Sequence, residues 1–262
     1  MARKASSPPS SEPEGIEELQ QRLRQVSLTV VASEIGRLLT EAEAEELSYS
    51  DFLARLLDCE QGTRRERKIA RRLKRARLGQ VKSLTEFDFK ARPKLAAAAV
   101  KELLGCRFIE EGRSIICIGR AGTGKTHVAK AIAHAACMKG YSVYAGVTAD
   151  ILDELHASLA DDTFTKVFRR YSQADLVLLD EIGYIGLDDE KSSHLFRLVS
   201  ARHPSRAMVV TTNTAFDNWK KFFPNEAQAV ATVDRLIDRA TVLRFTGKSF
   251  RKPKDILGGP LD

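Results

Sequence analysis

Residues 119–126 read Gly-Arg-Ala-Gly-Thr-Gly-Lys-Thr, which fits G-x-x-x-x-G-K-[ST], the phosphate-binding P-loop. Such a loop needs a strand before it and a helix after it, and the flanking sequence supplies both. Residues 114–118 form a short apolar strand. Residues 127–139 form a helix with Val128, Ile132, Ala133 and Ala136 on one stripe. Gly119, Gly122, Thr123 and Gly124 present backbone N–H groups to phosphate oxygens, with no Cβ in the way at the glycines. The helix N-terminus adds partial positive charge. Lys125 can reach the β- and γ-phosphates, and the Thr126 hydroxyl can ligate Mg²⁺.

A second half of the site follows. Leu176-Val177-Leu178-Leu179 has the unbroken apolar character of a buried parallel strand and runs into Asp180-Glu181. Beside a P-loop, Asp180 is expected to hold Mg²⁺ and Glu181 to take the proton of an attacking water. Asn213, at the end of the strand over residues 207–212, could orient that water or touch the γ-phosphate, or else is a turn residue after a strand. Arg235 and Arg239 lie four apart on a predicted helix. One could stabilise charge on a transferring phosphoryl group across a subunit boundary. The alternative is pairing with Asp234 and Asp238 along the helix.

The spread of charge matters more than its net value of +7. Residues 1–60 carry six Lys/Arg against twelve Asp/Glu, whereas residues 61–82 carry ten against one. Arg64, Arg65, Arg67, Lys68, Arg71, Arg72, Lys74 and Arg75 surround a narrow apolar stripe of Ile69, Leu73 and Ala76. A charge run of this kind is often a solvated helix face. Here Glu66 is the one acid within the block, so i,i+4 pairing cannot neutralise it. The block therefore points to a polyanion, with contacts to nucleic-acid phosphates. It holds no aromatic residue, which argues against base-stacking recognition of single strands.

The rest of the chain supports an α/β fold class. Residues 1–15 are Ser/Pro/Glu-rich and read as a disordered tail. Helical periodicity starts at Ile16. Thr40 and Glu43 have capping-box spacing and predict a helix over residues 40–47. Residues 48–57 predict a short helix that packs its leucines. Residues 83–95, with Pro93, predict an extended linker. Helices are expected over 95–104, 149–159, 163–172 and 188–200, and strands over 141–147 and 207–211. Alternation of this kind gives a mostly parallel sheet preceded by a small all-helical domain. The expected organisation is a tail over 1–15, a helical DNA-binding domain over 16–82 and an ATPase domain over 83–262.

No apolar run is long enough to cross a bilayer, and Ser and Pro follow the first basic residues where a signal peptide would be apolar. The sequence predicts a cytoplasmic protein with no membrane partner. Cys59, Cys106, Cys117 and Cys137 lack metal-ligand or disulfide-framework spacing, which suits a reducing compartment.

The segments GRAGTGKTHVA, LLDEIGY, VVTTNTAFDNW, VDRL and GKSFR, in this order, resemble the IstB family. So do EAEAEELSYSDFLARLL, the Arg-rich helix and KSLTEFDF, and the resemblance covers roughly residues 20–252. IstB-type proteins are AAA+ ATPases that assist insertion-sequence transposition, and are relatives of the DnaC helicase loaders. The resemblance implies an AAA+ P-loop NTPase core that uses ATP and Mg²⁺. It also implies assembly of a homo-oligomer on duplex DNA with little sequence preference, and recruitment of a transposase. It assigns Asn213 as sensor 1 and favours Arg235 over Arg239 as the arginine finger. It aligns Arg251 with the arginine of a Gly-Glu-Ser-Tyr-Arg motif, in which Lys248 and Phe250 replace the family residues. Two other functions fit the same core: a DnaC-like helicase loader, and an ATP-gated DNA-binding scaffold whose hydrolysis is incidental.

Overall fold

The structure is a computed structural model and describes residues 15–183 and 186–250. The disordered-tail reading for residues 1–15 falls outside it except for Gly15, and so does Arg251. By its contacts the chain divides into two compact units, one ending at Ala70 and the other beginning at Arg71. The sequence reading sets the boundary at 82. Leu73, Ala76 and Leu78 instead pack into the core of the second unit, which draws the division back to Arg71.

The first unit is helical: α1 (Ile16–Gln25), α2 (Thr29–Ala44) and α3 (Tyr49–Ala76), whose last turns belong to the second unit. Val30, Val31, Ala32, Ile35 and Leu38 of α2 are buried. No side chain of its N-cap residue, Leu28, closes the start of α2. Glu60 of α3 does so from a distance: its Oε2 accepts the N–H groups of Val30 and Val31 at 2.9 and 3.0 Å. A carboxylate at that place also complements the helix dipole.

Two sequence expectations fail in this unit. Thr40 does not cap a new helix; α2 runs through it, and its Oγ1 donates to the carbonyl of Gly36 at 3.1 Å. Residues 48–57 are not a separate packed helix but the start of the long α3, on which Leu53 and Leu57 are exposed.

The second unit continues through α4 (Ala97–Leu103), α5 (Arg107–Glu110), β1 (Ile115–Gly119), α6 (Lys125–Lys139), β2 (Val143–Val147), α7 (Thr148–Ala157) and α8 (Phe164–Gln173). It is completed by β3 (Leu176–Ile182), α9 (Asp189–Arg202), β4 (Ala207–Thr212), α10 (Glu226–Ile237) and β5 (Thr241–Phe245). The strands form one parallel sheet in the order β2-β3-β4-β1-β5. Strand alternation sorts the core into two layers. Ile115, Cys117, Leu176, Leu178 and Val209 share one face with α6; Ile116, Val177, Leu179, Met208 and Val210 share the other with α7 and α9. Covering both faces is what lets these strands be apolar throughout.

Residues 83–95 are not a loose linker. Leu84–Glu86 form a 3-10 turn closed by a Ser83/Glu86 capping box, and Phe87, Arg92 and Leu95 are buried in the same core as α6. Pro93 excludes helix without excluding packing. The strand β5 has no counterpart in the sequence reading. Among the described residues, no helix is long and apolar enough to cross a membrane.

Candidate functional site

Parallel strands deliver their carboxyl ends to one edge of the sheet, and ligands bind there. The loop after β1 turns into α6 at Gly124, which has φ +96°. A Cβ built on Gly124 would lie 2.4 Å from the Phe87 ring, so the position admits glycine on both counts. Lys125 is buried, and its Nζ donates to the carbonyl of Arg120 at 2.9 Å. Thr123 is fully buried, with Oγ1 donating to the same carbonyl at 2.7 Å.

The two halves of the predicted site meet. Thr126 Oγ1 donates to Asp180 Oδ1 at 3.0 Å. Thr148, at the start of α7, donates to the carbonyl of Asp180 at 2.8 Å and fixes that residue from the other side. Gly122, Gly124, Lys125, Thr126, Glu181 and Asn213 line one cavity of about 620 Å³. The Asn213 side-chain oxygen accepts from Thr214 at 3.1 Å. Gly119 closes β1 and lines a neighbouring hollow that shares Asn213. A buried ammonium, a glycine cradle and hard oxygen donors on Thr126 and Asp180 fit a nucleotide triphosphate with Mg²⁺. Cys117, below this edge, takes no part: burial, then the charge of Asp180, push its thiol up to about 12.

Sequence reasoning overlooked several residues here. Arg92 donates to the carbonyls of Thr123 (3.0 Å) and Lys248 (2.7 Å), and its guanidinium lies 3.9 Å from the Phe250 ring centre. Phe250 donates its N–H to the carbonyl of Gly122 at 2.8 Å and lines the cavity. The segment carrying Arg92 thus holds both the P-loop and the residues that precede Arg251. Thr211 is buried between Asp180 and Glu181. The pair of threonines, Thr211 and Thr212, that ends an otherwise apolar strand is the signal that could have found it.

Other predicted residues stand apart within this chain. Arg235 stacks 4.8 Å from Phe196 and donates to the carbonyl of Ala231 at 3.1 Å. Arg235 and Arg239 line a different, small hollow beside His203, and Asp238 pairs with His203 rather than with either arginine. In the first unit, Arg65, Arg67 and Lys68 are exposed, while Arg64 is tied to Glu60 and to the carbonyl of Ser27. In the second unit, Arg71, Lys74 and Arg75 are exposed, and Arg72 is half-buried with its guanidinium beside Gly140.

The family model described as IstB-like ATP binding protein matches residues 21–257. The chain belongs to this family. The IstB-like chain is 32% identical to an insertion sequence IS21 putative ATP-binding protein of Pseudomonas aeruginosa, over 89% of its own length and 88% of the relative's. It is 30% identical to a putative ATP-binding protein in an insertion sequence of Mycobacterium tuberculosis, over 90% and 94% of the two chains. Among solved structures, a DnaC helicase loader superposes with a TM-score of 0.52 at 19% identity, covering 65% of this chain and 97% of that one. A replication initiator DnaA, bound to AMPPCP and single-stranded DNA, gives 0.53 at 20% identity, covering 62% and 49%. These two likenesses concern the fold, which is that of an AAA+ P-loop domain.

Proposed function

We propose that this IstB-like protein is a cytoplasmic, Mg²⁺-dependent ATPase that assembles on duplex DNA and recruits and stimulates the transposase of its insertion sequence. The observation that carries the ATPase reading is the hydrogen bond from Thr126 to Asp180, with Glu181 lining the same cavity. The glycine cradle and Lys125 hold the triphosphate. Thr126 and Asp180 would hold Mg²⁺, which neutralises charge on the β- and γ-phosphate oxygens when bound. Glu181 accepts a proton from the attacking water as that water's oxygen bonds to the γ-phosphorus and the bond to the β–γ bridging oxygen breaks. Asn213 orients the water.

Arg235 and Arg239 lie apart from this cavity, which supports one of them, Arg235 by the family resemblance, acting in trans on the site of a second copy. ATP then bridges copies, and hydrolysis releases them. The exposed cations of α3 support contact with backbone phosphates. The relatives named for insertion sequences support a transposase, rather than a helicase, as the client.

The test is ATP hydrolysis with and without random-sequence duplex DNA, with assembly size followed by light scattering in the same sample. DNA-stimulated turnover by large ATP-dependent assemblies is expected. DNA-indifferent turnover by a monomer would remove the helper reading and leave the ATPase. Glu181→Gln tests the scaffold alternative: it should bind ATP and DNA yet fail to stimulate the transposase over repeated cycles.

A further inference from the structure

Neighbouring residues of a regular strand point to opposite faces. A regular β3 would therefore send Asp180 and Glu181 to opposite sides of the sheet, and only one could serve the P-loop. The pairing of β3 with β4 avoids this. Leu179 lies opposite Val210, and the next partners are Ile182 and Thr212. Two residues, Asp180 and Glu181, thus face one, Thr211, which is the arrangement of a β-bulge. Glu181 takes up the extra length with φ +59°. A non-glycine residue held there is strained by on the order of 1 kcal/mol, so something must hold it.

The Thr211 side chain is positioned to do so. It is fully buried opposite the bulge. Its Oγ1 accepts the N–H of Glu181 at 2.9 Å and donates its own proton to Asp180 Oδ1. The same Asp180 oxygen accepts from Thr126 Oγ1. One hydroxyl thus ties the backbone of Glu181 to the carboxylate of Asp180, with its donor and an acceptor position both in use.

We propose that Thr211 is a positioning residue of the ATPase site: its hydroxyl turns the Asp180 carboxylate toward Thr126 and holds the bulge that keeps Glu181 in the cavity. Valine fills the same space but can neither accept nor donate. In Thr211→Val the Glu181 N–H loses its partner, and the Asp180 carboxylate loses one of the two hydroxyls that orient it. Regular pairing, which would turn Glu181 to the opposite face, then competes with the bulge.

This inference rests on the ATPase reading, and its test separates the two. Full-length wild type, Thr211→Val and Thr211→Ser are titrated with a fluorescent ADP analogue in EDTA, then with Mg²⁺ at fixed nucleotide, and assayed for turnover. All three should bind nucleotide in EDTA within about twofold of one another, because phosphate contacts come from the P-loop. In Thr211→Val the Mg²⁺ concentration for half-maximal effect should rise about 10-fold and turnover should fall about 100-fold, the range for loss of a group that orients a metal ligand. Thr211→Ser, which keeps the hydroxyl, should restore both. A valine variant with wild-type Mg²⁺ dependence and turnover overturns the proposal. So does one that loses nucleotide binding in EDTA, which would make Thr211 a packing residue. Wild-type protein without turnover would defeat the ATPase reading, while the Mg²⁺ titration would still decide the role of Thr211.

Discussion

Arg92 Nε donates to the backbone carbonyl of Thr123 at 3.0 Å, so a fully buried guanidinium reaches the P-loop from beneath. The same guanidinium donates to the carbonyls of Ala91 and Lys248 and lies over the face of Phe250. Gly247, with φ +103°, keeps the C-terminal segment close; a Cβ there would lie 2.8 Å from Arg92 Nη1. Arg92→Leu leaves three carbonyls without this donor, two of them on segments that shape the nucleotide cavity. A buried acceptor stranded in this way costs roughly 1–3 kcal/mol. We expect a loss of stability of about that size or more, together with nucleotide affinity weakened about 10-fold. Thermal melting with and without nucleotide separates the two effects, because a purely structural role would lower both melting points equally.

Gly124→Ala isolates the cradle from the core. The left-handed φ and the approach of Phe87 within 2.4 Å of the new methyl both oppose the substitution. The strain is on the order of 1–2 kcal/mol from the backbone alone. The loop can relieve it by moving away from Phe87, which withdraws the N–H groups that meet phosphate. Isothermal titration with ADP should show binding weakened at least about 10-fold, the equivalent of that strain. Companion Phe87→Ala in the same chain should recover part of it by removing the clash.

The parts of this fold legible in the sequence are those set by strong local patterns. The P-loop, the Asp-Glu strand end and the alternation of apolar strands with helices all depend on short-range spacing, and each element lies where that spacing puts it. The misreadings arise where a distant contact outweighs a local signal. The Thr40-x-x-Glu43 spacing is a real capping signature, but α2 is already started and closed by Glu60, thirty residues from Val30. Residues 48–57 and the basic block are one helix. Gly62, which weakens a helix locally, sits in open space where nothing forces a break. Pro93 suggested an extended linker, yet Phe87 and Arg92 are buried by contacts with α6 and the C-terminal segment, which no window of neighbouring residues contains. The candidate site was readable in part, as Gly122, Gly124, Lys125, Thr126, Glu181 and Asn213, which line one cavity. Its bulge was not, because the register of β3 against β4 is a property of two strands.

Glu60 makes the first unit sensitive to acid. Burial by itself raises the pKa of this carboxyl. The N–H of Val31, the guanidinium of Arg64 and the N–H of Val30 outweigh it, and the net shift is downward from the ordinary 4.5. A carboxylate with a depressed folded-state pKa contributes stability that is fully present above the unfolded value. That contribution is lost as pH falls through the folded one. Glu60→Gln should therefore destabilise the N-terminal helices near neutral pH by about 1–3 kcal/mol, as for loss of charged hydrogen bonds to buried donors. The difference from wild type should shrink once the pH drops below about 4.5. Amide hydrogen exchange at Val30 and Val31 in the full-length chain reports this locally. Equal protection in the two proteins at neutral pH would show that Glu60 does not cap α2.

The basic residues of α3 differ in how free they are, and this decides which to change. Arg64 already serves Glu60 and the carbonyl of Ser27, and Arg72 is half-buried beside Gly140, so reversing either would disturb packing. Arg71 and Arg75 are exposed and one turn apart. Arg71→Glu with Arg75→Glu should leave the fold and ADP affinity unchanged, because neither residue lines the nucleotide cavity. It should remove duplex binding measured by fluorescence anisotropy, since two attractive contacts become two repulsive ones. In the wild type, about six phosphate contacts should make duplex affinity fall on the order of a thousandfold between 50 and 200 mM salt, because each contact would release condensed counterions. A single change, Arg71→Ala, should weaken binding alike on unrelated sequences and flatten the salt slope by about one contact. Uniform weakening is the sign of backbone recognition. A loss confined to particular sequences would mean that α3 reads bases, and a flat salt dependence would take the phosphates, and with them this helix, out of the interface.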